Sequence, residues 1–131
     1  MLRTFPIRAA VVGALALAAS ACVDDTVNTP PVAVAGFDQR VQLVEGAPGD
    51  VVLDGTGSFD PDGDPIEHRW AVLRAPSGLT LLGEARTARE PRVQLTVPGL
   101  YVFELVVSDG LDTSAPDHVN VFAAPPEQQQ E

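Results

Sequence analysis

Three aspartates separated by single residues form the stretch of this sequence that is best suited to chemistry. Asp60, Asp62 and Asp64 alternate with proline and glycine in the run D-P-D-G-D-P. Carboxylates at alternate positions can converge on one Ca²⁺ ion, which takes about 6–8 oxygen ligands. The run is not an EF-hand loop, because glycine is at the fourth place instead of the sixth and Ala71 is at the twelfth. Aspartates also cap tight turns by accepting hydrogen bonds from nearby amides, so both interpretations stay open.

Two other combinations of residue types are those of catalytic or zinc sites. Ser108, Asp109 and His118 are the types of a hydrolase triad, but neither a nucleophile elbow nor an oxyanion-hole loop accompanies them. His68 and His118 lie on separate predicted strands without a cysteine nearby, which argues against zinc. We expect His68 to fill the inner face of its strand. The sequence therefore predicts no catalytic residues and no enzymatic activity.

The composition describes one acidic domain. The chain has 131 residues, which is enough for a single domain, and 45% of them are apolar, which is enough for a core. Its net charge is -10, it contains no lysine and its arginines form no run, so we expect no nucleic-acid partner. Arg86, Arg89 and Arg92 are interleaved with Glu84 and Glu90, a pattern typical of a solvated loop.

Residues 1–21 have the features of a signal peptide. Arg3 and Arg8 form a positive n-region, and residues 9–19 are apolar or small but too few to span a bilayer. The only cysteine, Cys22, follows the small-residue run A-S-A. One interpretation is a secreted protein with a single thiol near its new end. The other is acylation of Cys22, because L-A-A-S-A-C resembles the bacterial lipobox, with Ala19 where leucine is usual.

Acylation of Cys22 would attach the protein to a membrane. Each buried CH₂ contributes ~0.8 kcal/mol, so one acyl chain holds weakly, whereas the two or more chains implied by the resemblance to bacterial lipoproteins hold durably. Val23, instead of aspartate, follows the cysteine, and in the Gram-negative sorting pattern this favours the outer membrane. Residues 22–30 are short and polar and run into a diproline, so we predict a tether that keeps the domain close to the bilayer.

The rest of the chain is organised as short strands joined by turns. Proline (12) and glycine (11) are numerous, and apolar residues recur at every second position, the period of a strand. The alternation predicts strands at 32–34, continued at 41–43 after a break, and at 51–53, 66–72, 93–97, 101–107 and 117–122, with an edge segment at 79–82 and a loop at 83–91. About seven strands with regular turns indicate an all-β, immunoglobulin-like β-sandwich at residues 31–123, with a disordered tail at 124–131.

Three aromatic residues are predicted to form the core of this sandwich: Trp70, Tyr101 and Phe103. Trp70 faces inward on the strand after the acidic turn, and Tyr101 begins the longest strand at the position of a tyrosine corner. With a single cysteine no disulfide can join the sheets, so apolar burial must stabilise them. In such a sandwich the loop after Asp109 lies at the same end as the acidic turn, which adds Asp109 and Asp112 to the candidate calcium ligands.

A series of short motifs, in their order and spacing, resembles a polycystic-kidney-disease (PKD) domain. The motifs are P-V-A-V-A-G from Pro31, V-L-D-G-T-G-S from Val52, D-P-D-G-D from Asp60, the tryptophan Trp70, A-P-S-G from Ala75, P-G-L-Y from Pro98 and L-V-V-S-D-G from Leu105. The resemblance covers residues 31–123. His68 stands where the family often has an aromatic residue, and Ala71 stands where many members have aspartate after the tryptophan.

The resemblance implies a non-catalytic role. PKD domains mostly act as spacers or as mediators of protein–protein and protein–carbohydrate contact. We therefore expect a lipid-anchored protein of the cell envelope that binds a protein or polysaccharide. The alternatives are a structural subunit that supports a partner complex and a calcium-stabilised spacer. A recognition module would expose aromatic side chains, for which Phe37 and Phe59 are the candidates, whereas a structural subunit would use a sheet edge or a loop patch.

Overall fold

The protein is a sandwich of two β-sheets. The computed structural model describes residues 26–76, 78–81 and 83–128. Its elements are β1 (Gln39–Gln42), β2 (Gly49–Val52), β3 (Glu67–Arg74), α1 (Glu84–Thr87), β4 (Arg92–Leu95), β5 (Gly99–Ser108) and β6 (Asp117–Ala124). One sheet has the strand order β1-β6-β5-β3 and the other pairs β2 with β4. The prediction of an all-β sandwich is confirmed.

The longest strand, β5, lies inside the larger sheet, as its apolar residues on both faces predict. It runs antiparallel to both of its neighbours, β3 and β6. Its inward residues are fully buried and the residues between them are half-buried. The inward residues are Tyr101, Phe103, Leu105 and Val107. This strand therefore supplies four fully buried side chains to the core, two of them aromatic.

The first predicted strand is divided at Gly36, and its two parts have different partners. Val32 forms an isolated antiparallel bridge with Phe59, whereas β1, after the break, runs parallel to β6. Gly36 has a φ of 81°, and a Cβ at this position would lie 2.9 Å from the carbonyl oxygen of Asp54. Only glycine takes this conformation and this close approach without strain. Gly36 thus lies between the part of the chain that pairs with Phe59 and the part that pairs with β6.

The aromatic residues assigned to the core are fully enclosed and their polar atoms are paired. Trp70, Tyr101 and Phe103 are each 0% exposed. Trp70 Nε1 donates a hydrogen bond to the carbonyl oxygen of Ala88 at 3.0 Å. The Tyr101 hydroxyl donates one to the carbonyl oxygen of Val97 at 2.8 Å, which is the backward bond of a tyrosine corner. The core thus buries large apolar area without leaving the indole or phenol group unsatisfied.

The segment between β3 and β4 differs from the sequence prediction. Residues 83–91 were predicted as a loop but contain α1, in which the N–H of Ala88 donates to the carbonyl oxygen of Glu84 at 2.7 Å. A single helical turn is too short to produce a 3.6-residue pattern, which is why the sequence did not reveal it. In the predicted edge segment, Leu79 and Leu81 are in no strand and pack, half-buried, against the core.

The sandwich extends one residue beyond its predicted end at 123. Ala124 is the last residue of β6 and is 2% exposed. Its carbonyl oxygen accepts a hydrogen bond from the N–H of Leu43 at 3.0 Å, and Gln42 Nε2 donates to the carbonyl oxygen of Pro125. The parallel pairing with β1 carries the last strand past the alternation seen in the sequence, so residue 124 belongs to the domain and not to the tail.

The chain enters and leaves the sandwich at opposite ends. Glu67 at the start of β3 pairs with Ser108 at the end of β5, so the acidic turn and the loop after β5 share one end, which we call the acidic end. The bridge between Val32 and Phe59 brings the N-terminal segment to the same end. Because β6 runs antiparallel to β5, it starts near the acidic end and finishes at the opposite end.

Several sequence predictions concern residues that the structure does not describe. These are the signal peptide at 1–21, the acylation of Cys22, the first part of the tether, at 22–25, and the last part of the tail, at 129–131. In the described ranges, no helix is both long enough and apolar enough to cross a bilayer.

Replacing Trp70 with alanine is expected to lower the free energy of unfolding by about 3–5 kcal/mol, because the substitution leaves a cavity where a large side chain was buried. It also leaves the carbonyl oxygen of Ala88 without its donor. Phe37→Ala is the matched control: Phe37 is 93% exposed, so its loss should change stability by less than about 0.5 kcal/mol. Chemical denaturation measures both, and equal stability of the two variants would show that Trp70 does not hold the core.

The domain is expected to lose stability in acid. The pKa of Asp38 lies below its ordinary value of 3.8, because its carboxylate accepts hydrogen bonds from Asn120. The backbone N–H of Asn120 has the larger effect and its side-chain amide the smaller. When folding lowers the pKa of a carboxyl group, the group stabilises the folded protein at pH values above its unfolded-state pKa. This stabilisation is lost as the pH falls through the folded-state pKa. The melting temperature should therefore decrease below about pH 5, and it should decrease less in Asp38→Asn. Parallel profiles for the two proteins would exclude a contribution from the Asp38 carboxylate.

Candidate functional site

The acidic turn is held from within by Asp60. Its Oδ1 accepts hydrogen bonds from the backbone N–H of Asp62 at 2.8 Å and of Asp64 at 3.2 Å. Its carbonyl oxygen accepts another from the N–H of Gly63 at 3.1 Å, and Gly63 has a φ of 84°. This oxygen therefore caps the turn, which is one of the two functions that the sequence allowed for the aspartates.

The second carboxylate oxygen of Asp60 is suited to the other function. Asp60 Oδ2 is enclosed and has no hydrogen-bond partner among the described residues. One oxygen each from Asp60, Asp62 and Asp64 lies within 4.8 Å of the other two. Carboxylate oxygens are the ligands that Ca²⁺ takes, and a buried acceptor without a partner is rare in proteins. The turn thus offers three carboxylates, which is part of the oxygen set that a calcium ion needs.

The loop after β5 is held by Asp109 in a similar way. Asp109 Oδ1 accepts hydrogen bonds from the N–H of Leu111 and of Asp112, both at 2.7 Å. The bond from Asp112, followed by a side-chain bond from Asn28, keeps the pKa of Asp109 below its ordinary value. Asp109 is therefore a carboxylate at neutral pH, with one oxygen committed to its own loop.

Two residues of the predicted tether join these two acidic loops. Asn28 Nδ2 donates to Oδ2 of Asp109 and to Oδ2 of Asp112, both at 2.8 Å. The N–H of Thr29 donates to Asp62 Oδ2 at 2.6 Å, and its hydroxyl donates to Asp62 Oδ1 at 3.2 Å. The five predicted calcium ligands therefore lie at one end of the sandwich, but three of them bind the N-terminal segment. This contact could not be predicted from the sequence, because it depends on loops that are far apart in the chain.

The residues of the hypothetical triad are not arranged as a triad. His118 lies opposite Glu104 in the register of β5 and β6, and its Nε2 is 3.0 Å from Glu104 Oε2. Ser108 is four residues further along β5, about 13 Å away at the rise of a strand. The Ser108 hydroxyl donates to the carbonyl oxygen of Asp112 at 3.0 Å, so it closes the loop instead of facing a base.

A groove of about 930 Å³ lies between the acidic turn, the start of β3, the segment after α1 and the end of β5. Phe59, Pro65 and Ile66 supply apolar surface to it, and Phe59 is 52% exposed. Charged residues of both signs line the same groove, among them Asp64, Glu67, Arg69 and Arg89. It therefore combines an accessible aromatic ring with hydrogen-bond donors and acceptors.

Two residues of the groove are fixed by contacts with the loop that follows β2. His68, which the sequence placed on the inner face as a filler, is half-buried, and its Nε2 lies 3.1 Å from the carbonyl oxygen of Gly55. Arg89, which the sequence placed in a solvated loop, donates from Nη2 to the carbonyl oxygen of Thr56 at 3.2 Å. These contacts hold two polar side chains in place along the groove. The sequence did not reveal the groove, because its sides come from four separate segments.

Comparisons with known proteins agree with this architecture. Residues 35–122 match the family model described as K319L-like, PKD domain. The solution structure of the PKD domain from human KIAA0319 is similar, at 17% identity and a TM-score of 0.59, over 86% of this chain and 96% of that one. The PKD domain from KIAA 1837 protein is 24% identical with a TM-score of 0.60, over 81% of this chain and 98% of that one. No curated protein sequence matches this chain.

A third similar structure contains the fold within a longer protein. It is a nucleoside hydrolase-related hypothetical protein from Saccharophagus degradans, associated with carbohydrate metabolism, at 22% identity and a TM-score of 0.57. The match covers 75% of this chain and 26% of that one. At these identities the structures establish the fold alone, which confirms the immunoglobulin-like sandwich. PKD domains are non-catalytic and typically serve as extracellular adhesion or spacer modules, and because the family model matches more than half of its length, this chain belongs to the K319L-like PKD domain family.

Proposed function

We propose that this chain is a non-catalytic, lipid-anchored recognition module of the cell envelope, which binds a protein or polysaccharide through the groove. The observation that supports it most directly is the exposed ring of Phe59 beside charged residues of both signs. Sites for ligands combine apolar or aromatic surface with a few placed polar groups, and the groove has both. An aromatic face with carboxylates and guanidinium groups around it suits a sugar ring with its hydroxyls or a polar peptide.

The charge of the groove favours a neutral or mixed-charge ligand over a polyanion. Arg69 and Arg89 are balanced there by Asp60, Asp64 and Glu67. With a net charge of -10 on the whole chain, a nucleic acid or another strongly anionic polymer would be repelled. Catalysis is not proposed, because the residue types of a triad are spread along β5 and β6 and the family is one of binding and spacing modules.

The proposed anchor is acylation at Cys22, and the proposed location is the outer membrane of a Gram-negative bacterium. The support is the lipobox-like run that ends at Cys22, followed by Val23. The bridge between Val32 and Phe59 brings the chain into the sandwich at the acidic end, so an anchor that precedes it would attach at this end. Two or more acyl chains would make release from the bilayer negligible.

A calcium-stabilised spacer is the second candidate, and the enclosed oxygen of Asp60 favours it specifically. Asp60, Asp62 and Asp64 would be the ligands from the acidic turn, and Asp109 and Asp112 would complete the site only where they are released from Asn28. A spacer needs its entry and exit at opposite ends, and in this sandwich the segment before Val32 lies at the acidic end while β6 finishes at the other.

The recognition function is tested with two variants in cells that export the protein. Cys22→Ser should move it from the membrane pellet to the soluble fraction, because no acyl chain can be attached. Phe59→Ala should reduce capture of crosslinked envelope proteins and binding to immobilised envelope polysaccharides by roughly tenfold, as expected for loss of an aromatic anchor.

Phe37→Ala is the control for Phe59→Ala, since it removes the same side chain from an exposed position that does not line the groove. Equal binding by the two variants would exclude the groove as the recognition surface. Retention of Cys22→Ser in the membrane pellet would exclude acylation as the anchor.

Calcium binding is tested by thermal melting at increasing Ca²⁺ concentration. An ion that binds only the folded protein stabilises it by RT ln(1 + [L]/Kd), about 2.7 kcal/mol at a hundredfold excess over Kd, so the melting temperature should rise. Asp60→Asn should abolish the rise, because it removes the negative charge of the carboxylate to which the enclosed oxygen belongs. Asp50→Asn, in β2, should leave the rise intact. A melting temperature that does not depend on Ca²⁺ would end this proposal.

A further inference from the structure

The N-terminal segment is attached to the domain before the first bridge. Asn28 and Thr29 precede Val32, where backbone pairing with Phe59 begins. Together they make four hydrogen bonds to three aspartates, each between 2.6 and 3.2 Å. Bonds of this kind, with an ionised acceptor, are about twice as strong as neutral ones. We call these two residues the strap.

The strap joins loops that no other described side-chain hydrogen bond connects directly. Asp62 belongs to the acidic turn, whereas Asp109 and Asp112 belong to the loop after β5. Asn28 and Thr29 are adjacent, and each binds a different loop. The strap therefore fixes the distance between the acidic turn and the loop after β5. The strap also places neutral donors among three carboxylates that would otherwise repel one another.

We propose that the strap holds the acidic end of the sandwich, and with it the groove, towards the membrane; this inference rests on the proposed acylation of Cys22. Asn28 is six residues after Cys22, and six residues span at most about 20 Å when fully extended. Without the strap the free segment would reach Pro31, nine residues after Cys22, for about 30 Å. The strap thus shortens the connection by about one third.

The orientation determines which surfaces meet which partners. β5 has 10 residues, so the end opposite the acidic end stands about 33 Å further from the bilayer. The groove is lined by residues of the acidic turn and by Thr113, so it lies at the acidic end and, in this orientation, near the membrane. Its ligand must therefore be membrane-proximal, whereas the loop that contains Val44, 66% exposed, faces outward from the bilayer.

The strap itself is tested without a membrane, in the unacylated Cys22→Ser protein, by hydrogen exchange of the Thr29 amide. The wild-type contact predicts exchange at least tenfold slower than in an unfolded peptide, because this N–H donates to Asp62. Asp62→Ala should remove the protection, and Asp64→Ala should not, although it deletes the same charge from the same turn. Unchanged exchange of the Phe103 amide in both variants shows that the fold is intact. A Thr29 amide that exchanges freely in Cys22→Ser would overturn the strap.

The orientation is tested with the acylated protein on vesicles of phosphatidylethanolamine and phosphatidylglycerol that carry a headgroup quencher. A fluorophore is attached in Leu111→Cys, at the acidic end, or in Val44→Cys, at the other; both positions are exposed, at 79% and 66%. Quenching should be several-fold stronger at 111, and Asn28→Ala should reduce that difference. Equal quenching at both positions would overturn the inference. If the protein stays in solution, the proposed acyl anchor is wrong, and the membrane-facing orientation is wrong with it. The contact of the strap with Asp62 would still be tested by the exchange rate of the Thr29 amide.

Discussion

The burial of Trp70 is the interaction on which the rest of the sandwich depends. Its ring is enclosed between the sheets, a Cβ on Gly55 would come within 3.2 Å of it, and its N–H binds the carbonyl oxygen of Ala88. One side chain on the larger sheet thereby fixes the loop after β2 and the segment before β4. Two side chains that line the groove, those of His68 and Arg89, contact the same loop after β2. With one cysteine in the chain, apolar burial has to supply this constraint.

Much of the acidity of the chain is used to fix loops. Asp54 accepts bonds from Thr56, Asp117 accepts one from the N–H of Ala35 at 2.7 Å, and Asp60 caps its own turn. A backbone N–H in a loop has no partner strand, and these carboxylates accept the hydrogen bonds that a neighbouring strand would accept in a sheet. This explains how a domain with short strands keeps a defined set of loops. It also limits the oxygens that remain for a cation, since most carboxylates at the acidic end already have partners.

The proposed roles of the protein follow from the direction of the chain. The N-terminal segment joins the acidic end, and β6 finishes at the other end, so an anchor before the sandwich and any partner after it would be separated by its whole length. A module of this shape can present a groove near the bilayer and loops further out. The strap adds a rotational constraint to this arrangement, because it binds two loops at once instead of continuing as a free tether.

The sequence by itself determined the all-β sandwich, the acidic turn and the enclosed aromatic residues. Alternation along β5, a proline–glycine turn before β3 and a lone tryptophan are local signals, and local signals are read directly from neighbouring residues. Only the tertiary structure decided the rest. The helix α1 is too short for a periodic signal, the end of β6 depends on pairing with β1, and His118 is paired with Glu104 because of strand register. Asn28 binds aspartates more than 80 positions away, a contact set by the folded arrangement of loops that no spacing in the chain encodes.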